Sequence, residues 1–340
     1  MTVRLKDIAQ ELDLSVSTVS AALQGRSDIS RATQERVQEV VKRLGYQPNS
    51  VARSLVTRKS NVFGVVIPDL SRSFFSEVLK GVELITSQAG YNLLVCNTAE
   101  NSAKEEKMLH MLRSRQVDGL LLASAHDIRA SDWLDELKNL RVPVVFIDRC
   151  FPGMHFVGGD DVTIGALATR HLIEQGYQRI GHIAGPQSVS TAVGRARGYE
   201  QALRDAGIEV KSELTVEANY HEESGGYEAM KKLLQLPERP DAVFAASDPI
   251  AIGAMQAALE ANLSMPADFG LIGVGNHQYS NYLRVPLSTV DQQRVSIGQE
   301  AAELLLKLIS RNPPGRATQI MVEPKLVLRA SSCRRPRENS

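Results

Sequence analysis

From residue 62 onward, short apolar runs rich in β-branched residues alternate with helix-length segments. The series reads VFGVVI (62–67), a helix over 74–89, YNLLVC (91–96), a helix over 103–115, GLLLA (119–123), a helix over 132–140 and PVVFID (143–148). After about residue 160 the same grammar restarts. A helix over 163–175 is followed by RIGHIA (179–184), a helix over 193–206, LTVEA (214–218), a helix over 225–235, AVFAA (242–246), a helix over 249–261, FGLIGV (269–274) and a helix over 294–310. Strands that alternate with helices pair in parallel through crossover connections. The expected fold class is therefore α/β, with two doubly wound parallel lobes of similar size. Ligands of such sheets sit beyond the carboxyl ends of the strands, so two facing lobes make a cleft.

The first 45 residues follow a different pattern. Leu5, Ile8, Ala9 and Leu12 recur at helical spacing and give one apolar stripe. Asp13-Leu14-Ser15 reads as a turn, and a second short helix runs from Val16 to Leu23 with Gly25 ending it. Ser30 is placed to cap a third helix, with Val37, Val40, Val41 and Leu44 on its inner face. Pro48 and Asn49 break the chain, and the basic segment SVARSLVTRKS is too short to bury a face of its own.

Inside this N-terminal part stands SVSTVSAALQG (15–25), a strip of hydroxyl side chains followed by small residues. A helix, a tight turn and a second short helix form a helix-turn-helix, whose second helix enters the DNA major groove. Short side chains let the backbone approach closely. Neutral hydroxyls at Ser15, Ser17, Thr18 and Ser20 supply donors and acceptors for phosphates and bases. Charge agrees: residues 1–60 hold ten of the 39 Lys/Arg and six of the 39 Asp/Glu, leaving 29 and 33 for the rest of a chain with zero net charge. A basic end on a slightly acidic body points to a polyanion at that end.

Other classes find little support. The start MTVRLKDIAQELDL is charged throughout and does not read as a signal peptide, and no apolar run is long enough for a membrane span. Cys96, Cys150 and Cys333 make neither a disulfide framework nor a metal pattern, so a cytoplasmic protein without cofactor or metal is expected. The seven histidines show no HExxH spacing, there is no GxSxG elbow or P-loop, and GVGNHQ lacks the last glycine of a dinucleotide fingerprint. Asp160 and Asp161 are adjacent, which favours a solvated loop over a paired acid and base. An enzyme is not expected.

Several segments, in order and spacing, resemble the lactose/galactose repressor (LacI/GalR) family of bacterial transcription regulators: VSTVS, GYQPNSVARSL, PDLSRSFF, VDGLLL, HLIEQGYQRIGHIAG, GRARGY and SDPIAIGA. The likeness covers about residues 4–330. It implies a helix-turn-helix domain over 1–47, a hinge helix over 48–60, and a two-lobed effector-binding and dimerisation domain over 61–330 resembling periplasmic sugar-binding proteins. In that division the N-lobe takes about 61–160 plus a late return segment, the C-lobe about 161–290 plus 318–328, and 331–340 is a disordered tail. The partners implied are a double-stranded, palindromic DNA operator, a second copy of the chain, and a small-molecule effector such as a sugar, sugar phosphate or other metabolite. No leucine heptad follows residue 328, so no coiled coil for a tetramer is expected.

By the same resemblance Val16, Ser17 and Ala21 read bases, while Ser15, Thr18, Ser20, Ser30 and Arg31 meet phosphates. Ala21 stands where an arginine is frequent, which lowers the expected demand for guanine there. In the hinge, Asn49 caps, Ala52 approaches the groove, Arg53 meets phosphate or solvent, and Leu55 is the wedge that opens a central base step. The resemblance places effector contacts at Asp69, Phe74, Phe75, Asp148, Arg195, Tyr220, Ser247, Asp248 and Asn276. Carboxylates suit hydroxyl pairs, a fixed guanidinium suits hydroxyl oxygens or an anion, and aromatic rings suit a flat ligand face. Gly275 departs from the pattern, because the family generally carries an aspartate there. A standard sugar, an anionic metabolite paired with Arg195, and a protein partner all stay open as the signal.

Overall fold

The computed structural model describes residues 3–23, 25–46, 59–130, 132–218, 223–310 and 313–334. The chain divides into two compact units, Met1–Ser60 and Asn61–Ser340.

The first unit holds helices α1 (Leu5–Leu12), α2 (Val16–Leu23) and α3 (Arg31–Leu44). Their apolar stripes meet in one small core of Ile8, Ala9, Val19, Ala22, Val37 and Val40. Asp13 ends α1 in the left-handed conformation and turns the chain. Ser15 Oγ accepts from the Thr18 amide at 3.0 Å and so caps α2. Ser30 caps α3 by accepting from the Thr33 amide at 3.2 Å, and Gly45 closes that helix with φ 62°. The hinge residues Asn49, Ala52, Arg53 and Leu55 lie outside the described residues.

The second unit has two six-stranded sheets. The N-lobe sheet contains β1 (Val62–Ile67), β2 (Asn92–Asn97), β3 (Gly119–Leu122), β4 (Val144–Ile147), β5 (His155–Gly159) and β11 (Gln319–Val322), in the order β11-β5-β4-β3-β1-β2. Every pairing in it is parallel. The C-lobe sheet contains β6 (Ile180–Ala184), β7 (Thr215–Glu217), β8 (Ala242–Ala245), β9 (Gly270–Val274), β10 (Ser288–Asp291) and β12 (Lys325–Val327), in the order β12-β10-β9-β8-β6-β7. Only β12 runs antiparallel to its neighbour. The central strands are buried along their length, as parallel strands covered on both faces must be.

Helices α4 (Ser73–Gln88), α5 (Ser102–Ser114) and α6 (Asp132–Lys138) belong to the N-lobe; α7 (Asp161–Glu174), α8 (Ser190–Asp205), α9 (Glu223–Leu234) and α10 (Asp248–Glu260) belong to the C-lobe. The last helix, α11 (Arg294–Leu308), returns to the N-lobe, where Ile297, Ala301 and Leu305 join the core of Val78 and Val82. The chain therefore passes between lobes at 159–161, 291–294 and 322–325.

Two boundary expectations are corrected. Residues 319–322 pair with β5 in the N-lobe, not with the C-lobe. Residues 331–334 are not a free tail: Ser331 Oγ donates to the Leu271 carbonyl at 2.6 Å, and Ser332 Oγ hydrogen-bonds His171 Nε2 at 2.7 Å. Strands β5 and β10 also lie where no strand is expected from the alternation, because HFVGG and STVD are short and glycine- or hydroxyl-bearing.

Candidate functional site

In the N-terminal unit the hydroxyl strip lies on an accessible helix face. Ser15, Val16 and Ser17 are exposed, Thr18, Ser20 and Ala21 are half-buried, and Val19 and Ala22 are turned into the core. Val16 keeps 48% of its surface in solvent, so its apolar side chain is open to a partner on this face. Ser15 Oγ also hydrogen-bonds the hydroxyls of Ser17 and Thr18, at 2.7 and 2.8 Å, which aligns all three. Ser30 and Arg31 stand at the start of α3, with the Arg31 side chain 91% exposed beside Glu35.

The second unit carries a cavity of about 290 Å³ at the carboxyl ends of the strands of both lobes. Residues 71–75 and Asp148-Arg149 supply the N-lobe wall; Thr191, Arg195, Glu223, Ser247 and Pro249 supply the C-lobe wall, with Val274 at the end of β9 and Gly275, His277 and Tyr279 after it. Gln292, at one of the crossings between lobes, completes it.

Arg195 is the best-fixed of these groups. Its Nε donates to Asp161 Oδ1 at 2.9 Å and its Nη1 to the Ala246 carbonyl at 2.7 Å, leaving the side chain 6% exposed. The contact exists because α7 and α8 approach very closely: a Cβ on Gly165 would lie 2.1 Å from the Arg195 carbonyl oxygen, and one on Gly198 would lie 2.0 Å from that of Val162. Burial pushes the Asp161 carboxyl up to about 7; Arg195 opposes that shift and Asp148 adds to it. Asp161 is thus not in a solvated loop, a correction that follows from Asp160 taking the capping role and leaving Asp161 on the inner side of the first turn.

On the N-lobe wall Asp148 stands in the left-handed region with φ 64°. Burial raises its pKa, against the opposing charges of Arg149, Arg195 and Arg72. Arg149 is 4% exposed and donates to both oxygens of Glu100 and to the Ser124 carbonyl. Across the cleft, Ser73 of the N-lobe hydrogen-bonds His277 Nδ1 of the C-lobe. His277 stacks on Tyr279, and burial lowers its pKa, which favours the neutral ring.

Of the expected effector contacts, the structure brings Phe74, Phe75, Asp148, Arg195 and Ser247 together on the cavity. Three others do not line it. Asp248 is fully buried, and its carboxylate accepts from the His277 amide, Ser280 Oγ and Thr289 Oγ1 at 3.0, 2.9 and 2.6 Å. Asn276 is spent on Asp291 and Arg329. Asp69 receives the amide and hydroxyl of Ser71 and shapes the loop instead. Tyr220 lies outside the described residues. Gly275 has φ 136°, and a Cβ there would meet the His277 ring at 3.0 Å, so the ring fills the room that a side chain at 275 needs. Arg72, Arg149, Glu223 and His277 were not expected from the sequence; only Arg149, next to Asp148 after an apolar strand, carries a signal that could have found it.

A family model described as "Periplasmic binding proteins and sugar binding domain of LacI family" matches residues 60–325, and one described as "Bacterial regulatory proteins, lacI family" matches residues 4–49. The HTH-type transcriptional repressor CytR of Escherichia coli (strain K12) is 34% identical over 331 residues, 96% of each chain. A ribose operon repressor of Haemophilus influenzae is 35% identical over 329 residues, 96% of this chain and 98% of that one. Among solved structures, a transcriptional regulator CelR–cellobiose complex has a TM-score of 0.74 at 28% identity, covering 97% of this chain and 99% of that one.

Proposed function

The chain belongs to the LacI family of bacterial regulatory proteins, a DNA-binding transcriptional repressor with an effector-binding body, and from that premise we propose how its two units work. The observation that carries the reading is the cavity in which Asp148 from one lobe and Arg195 from the other face the same space. A ligand held by both poles draws the lobes together. It can shift the protein between DNA-bound and free forms only by its differential affinity for the two arrangements.

The N-terminal unit reads the operator. Val16, Ser17 and Ala21 contact base edges; Ser15, Thr18, Ser20, Ser30 and Arg31 contact phosphates. Asn49, Ala52, Arg53 and Leu55 form the hinge against the minor groove, with Leu55 as the wedge. A two-fold homodimer on a palindromic operator fits a reader of this type, because half-sites mirror protein symmetry. The chain works by binding, not turnover, in the cytoplasm; the relatives named above are repressors, and no helix among the described residues is long and apolar enough to cross a membrane.

The effector is a small hydroxylated molecule held by Phe74, Phe75, Asp148, Arg195 and Ser247. Support comes from the names of a ribose operon repressor and a cellobiose complex among the relatives. The salt bridges of Arg195 to Asp161 and of Arg149 to Glu100 add to it, since they leave these guanidinium groups already matched.

The test is selection of a random duplex library on the purified chain, with and without the small-molecule fraction of a cell extract. The expected product is a palindrome with a pyrimidine–purine centre whose retention changes with the extract. No enriched sequence under either condition defeats the reading.

A further inference from the structure

The N-lobe wall of the cavity is held from behind by a side chain that does not line it. Glu100, in the turn after β2, receives both guanidinium groups of that wall. Arg149 donates from Nη1 and Nη2 to its two oxygens at 2.8 and 2.6 Å, and Arg72 donates from Nη2 at 2.9 Å. The backbone that presents it is itself uncommon: Ala99 and Glu100 are consecutive non-glycine residues in the left-handed region, with φ 53° and 56°. Such backbone persists only where its surroundings over-determine it. Three charge-assisted hydrogen bonds on one carboxylate do so here.

The clamp also sets the charge of the site. Arg72 and Arg149 share Glu100, Arg72 has Asp69 at 3.6 Å as well, and Arg195 is held by Asp161. Asp148 and Glu223 add acidic groups to the lining itself. Among the described residues each of these guanidinium groups already faces a carboxylate, so an incoming anion must compete with that partner and give up its own hydration. A neutral hydroxylated ligand meets donors and acceptors without that cost.

We infer that Glu100 is the positioning residue that sets charge selectivity at this cavity: it fixes the heads of Arg149 and Arg72 and, with Asp69 beside Arg72, offsets their charge, so that a neutral ligand is admitted and a phosphorylated one is refused. The inference rests on reading the cavity as the effector site, but the cancellation can be measured without knowing the effector.

Thermal unfolding of the full-length chain is followed against inorganic phosphate, with ionic strength held constant by sodium chloride. Any phosphate bound by the N-terminal unit is common to every variant and subtracts out. E100Q is expected to gain a saturable phosphate response about tenfold or more tighter than wild type, the scale of one charge-assisted hydrogen bond. The double variant E100Q/R149Q, which removes the surplus guanidinium, is expected to lose that gain. Loss of stability in E100Q without any new phosphate dependence overturns the inference, since a purely structural role predicts that result. E100S is tested alongside; if either single variant is unfolded without phosphate, phosphate is expected to restore its fold, and failure to do so is equally fatal. The effector reading is tested separately by R195A: a normal response of operator binding to the extract fraction defeats that reading and leaves the phosphate result standing.

Discussion

Arg195 Nε lies 2.9 Å from Asp161 Oδ1, joining α8 to the first turn of α7 beside the cavity. Both side chains are largely removed from water, at 6% and 13% exposure, so each is the other's main compensation. Asp161→Ala removes the carboxylate that accepts from Nε of this buried guanidinium, while the Ala246 carbonyl still accepts from Nη1. The expected cost is about 3–5 kcal/mol, the scale of breaking a buried ion pair from one side, read by chemical denaturation. Operator affinity without effector should stay near wild type while the effector response is lost. Asp161→Asn, which keeps an acceptor, should fall between the two.

The closeness of α7 and α8 is what puts those residues in contact, and it can be tested without touching either. Gly165→Ala places a methyl group 2.1 Å from the Arg195 carbonyl oxygen, so the helices must separate. Overpacking of this kind costs about 1–3 kcal/mol and should weaken the effector response with it. Gly315, around which a Cβ meets nothing within 4 Å, provides the control: Gly315→Ala should leave both readouts unchanged.

A second buried carboxylate predicts a pH dependence. Glu105 accepts from Ser124 Oγ at 2.7 Å and from the Ala125 amide at 2.6 Å, with His126 Nε2 3.8 Å away. Burial pushes it up to about 7, while those hydrogen bonds and Arg149 oppose the shift and Glu100 adds to it. The folded chain therefore holds this proton more tightly than the unfolded one between about pH 4.5 and 7. Its contribution is fully present below that window and is lost as pH rises through it; Asp161, also about 7, acts in the same direction. Unfolding free energies measured from pH 4.5 to 8 should show a shallower decline in Glu105→Gln than in wild type. An unchanged profile would assign the slope to other groups.

How much of this was legible in the sequence depends on the range of the interaction. Strand–helix alternation is local, and it anticipated the first four strands of each sheet and the helices between them, but not β5, β10, β11 or β12. The capping hydroxyl of Ser30 is local too. What escaped was set by partners far along the chain. The Arg149–Glu100 pair joins residues 49 positions apart, and Ser73–His277 joins residues 204 apart. Apart from Arg149, which follows an apolar strand and Asp148, nothing near these residues distinguishes a cavity wall from a solvated turn. Asp248 misled for a related reason. A carboxylate after a strand suits a ligand, but Ser280 and Thr289 reach it first from the elements that follow. Strand β11 lies in the N-lobe because it pairs with β5, and that partner was not legible because HFVGG gives no strong strand signal of its own.

The DNA-reading face yields the sharpest specificity prediction. Ala21 is half-buried on α2, beside Ala22 in the core and on the same helix as the exposed Val16 and Ser17. Its methyl group offers apolar contact with a thymine methyl but no hydrogen bond. Arginine at this position brings a planar fork that matches guanine O6 and N7. Ala21→Arg should therefore move the selected operator toward guanine at one symmetric pair of positions. A good bidentate pair discriminates by about 1–3 kcal/mol, so the shift should be visible in the selected sequences and in direct competition between two duplexes. The same change adds a cation near the phosphates, which strengthens binding to every sequence and steepens its salt dependence. Competition at fixed salt separates these effects, because general attraction raises affinity for both duplexes equally and base reading changes their ratio. A changed ratio assigns Ala21 to the bases; a uniform gain with no change in ratio places it against the backbone.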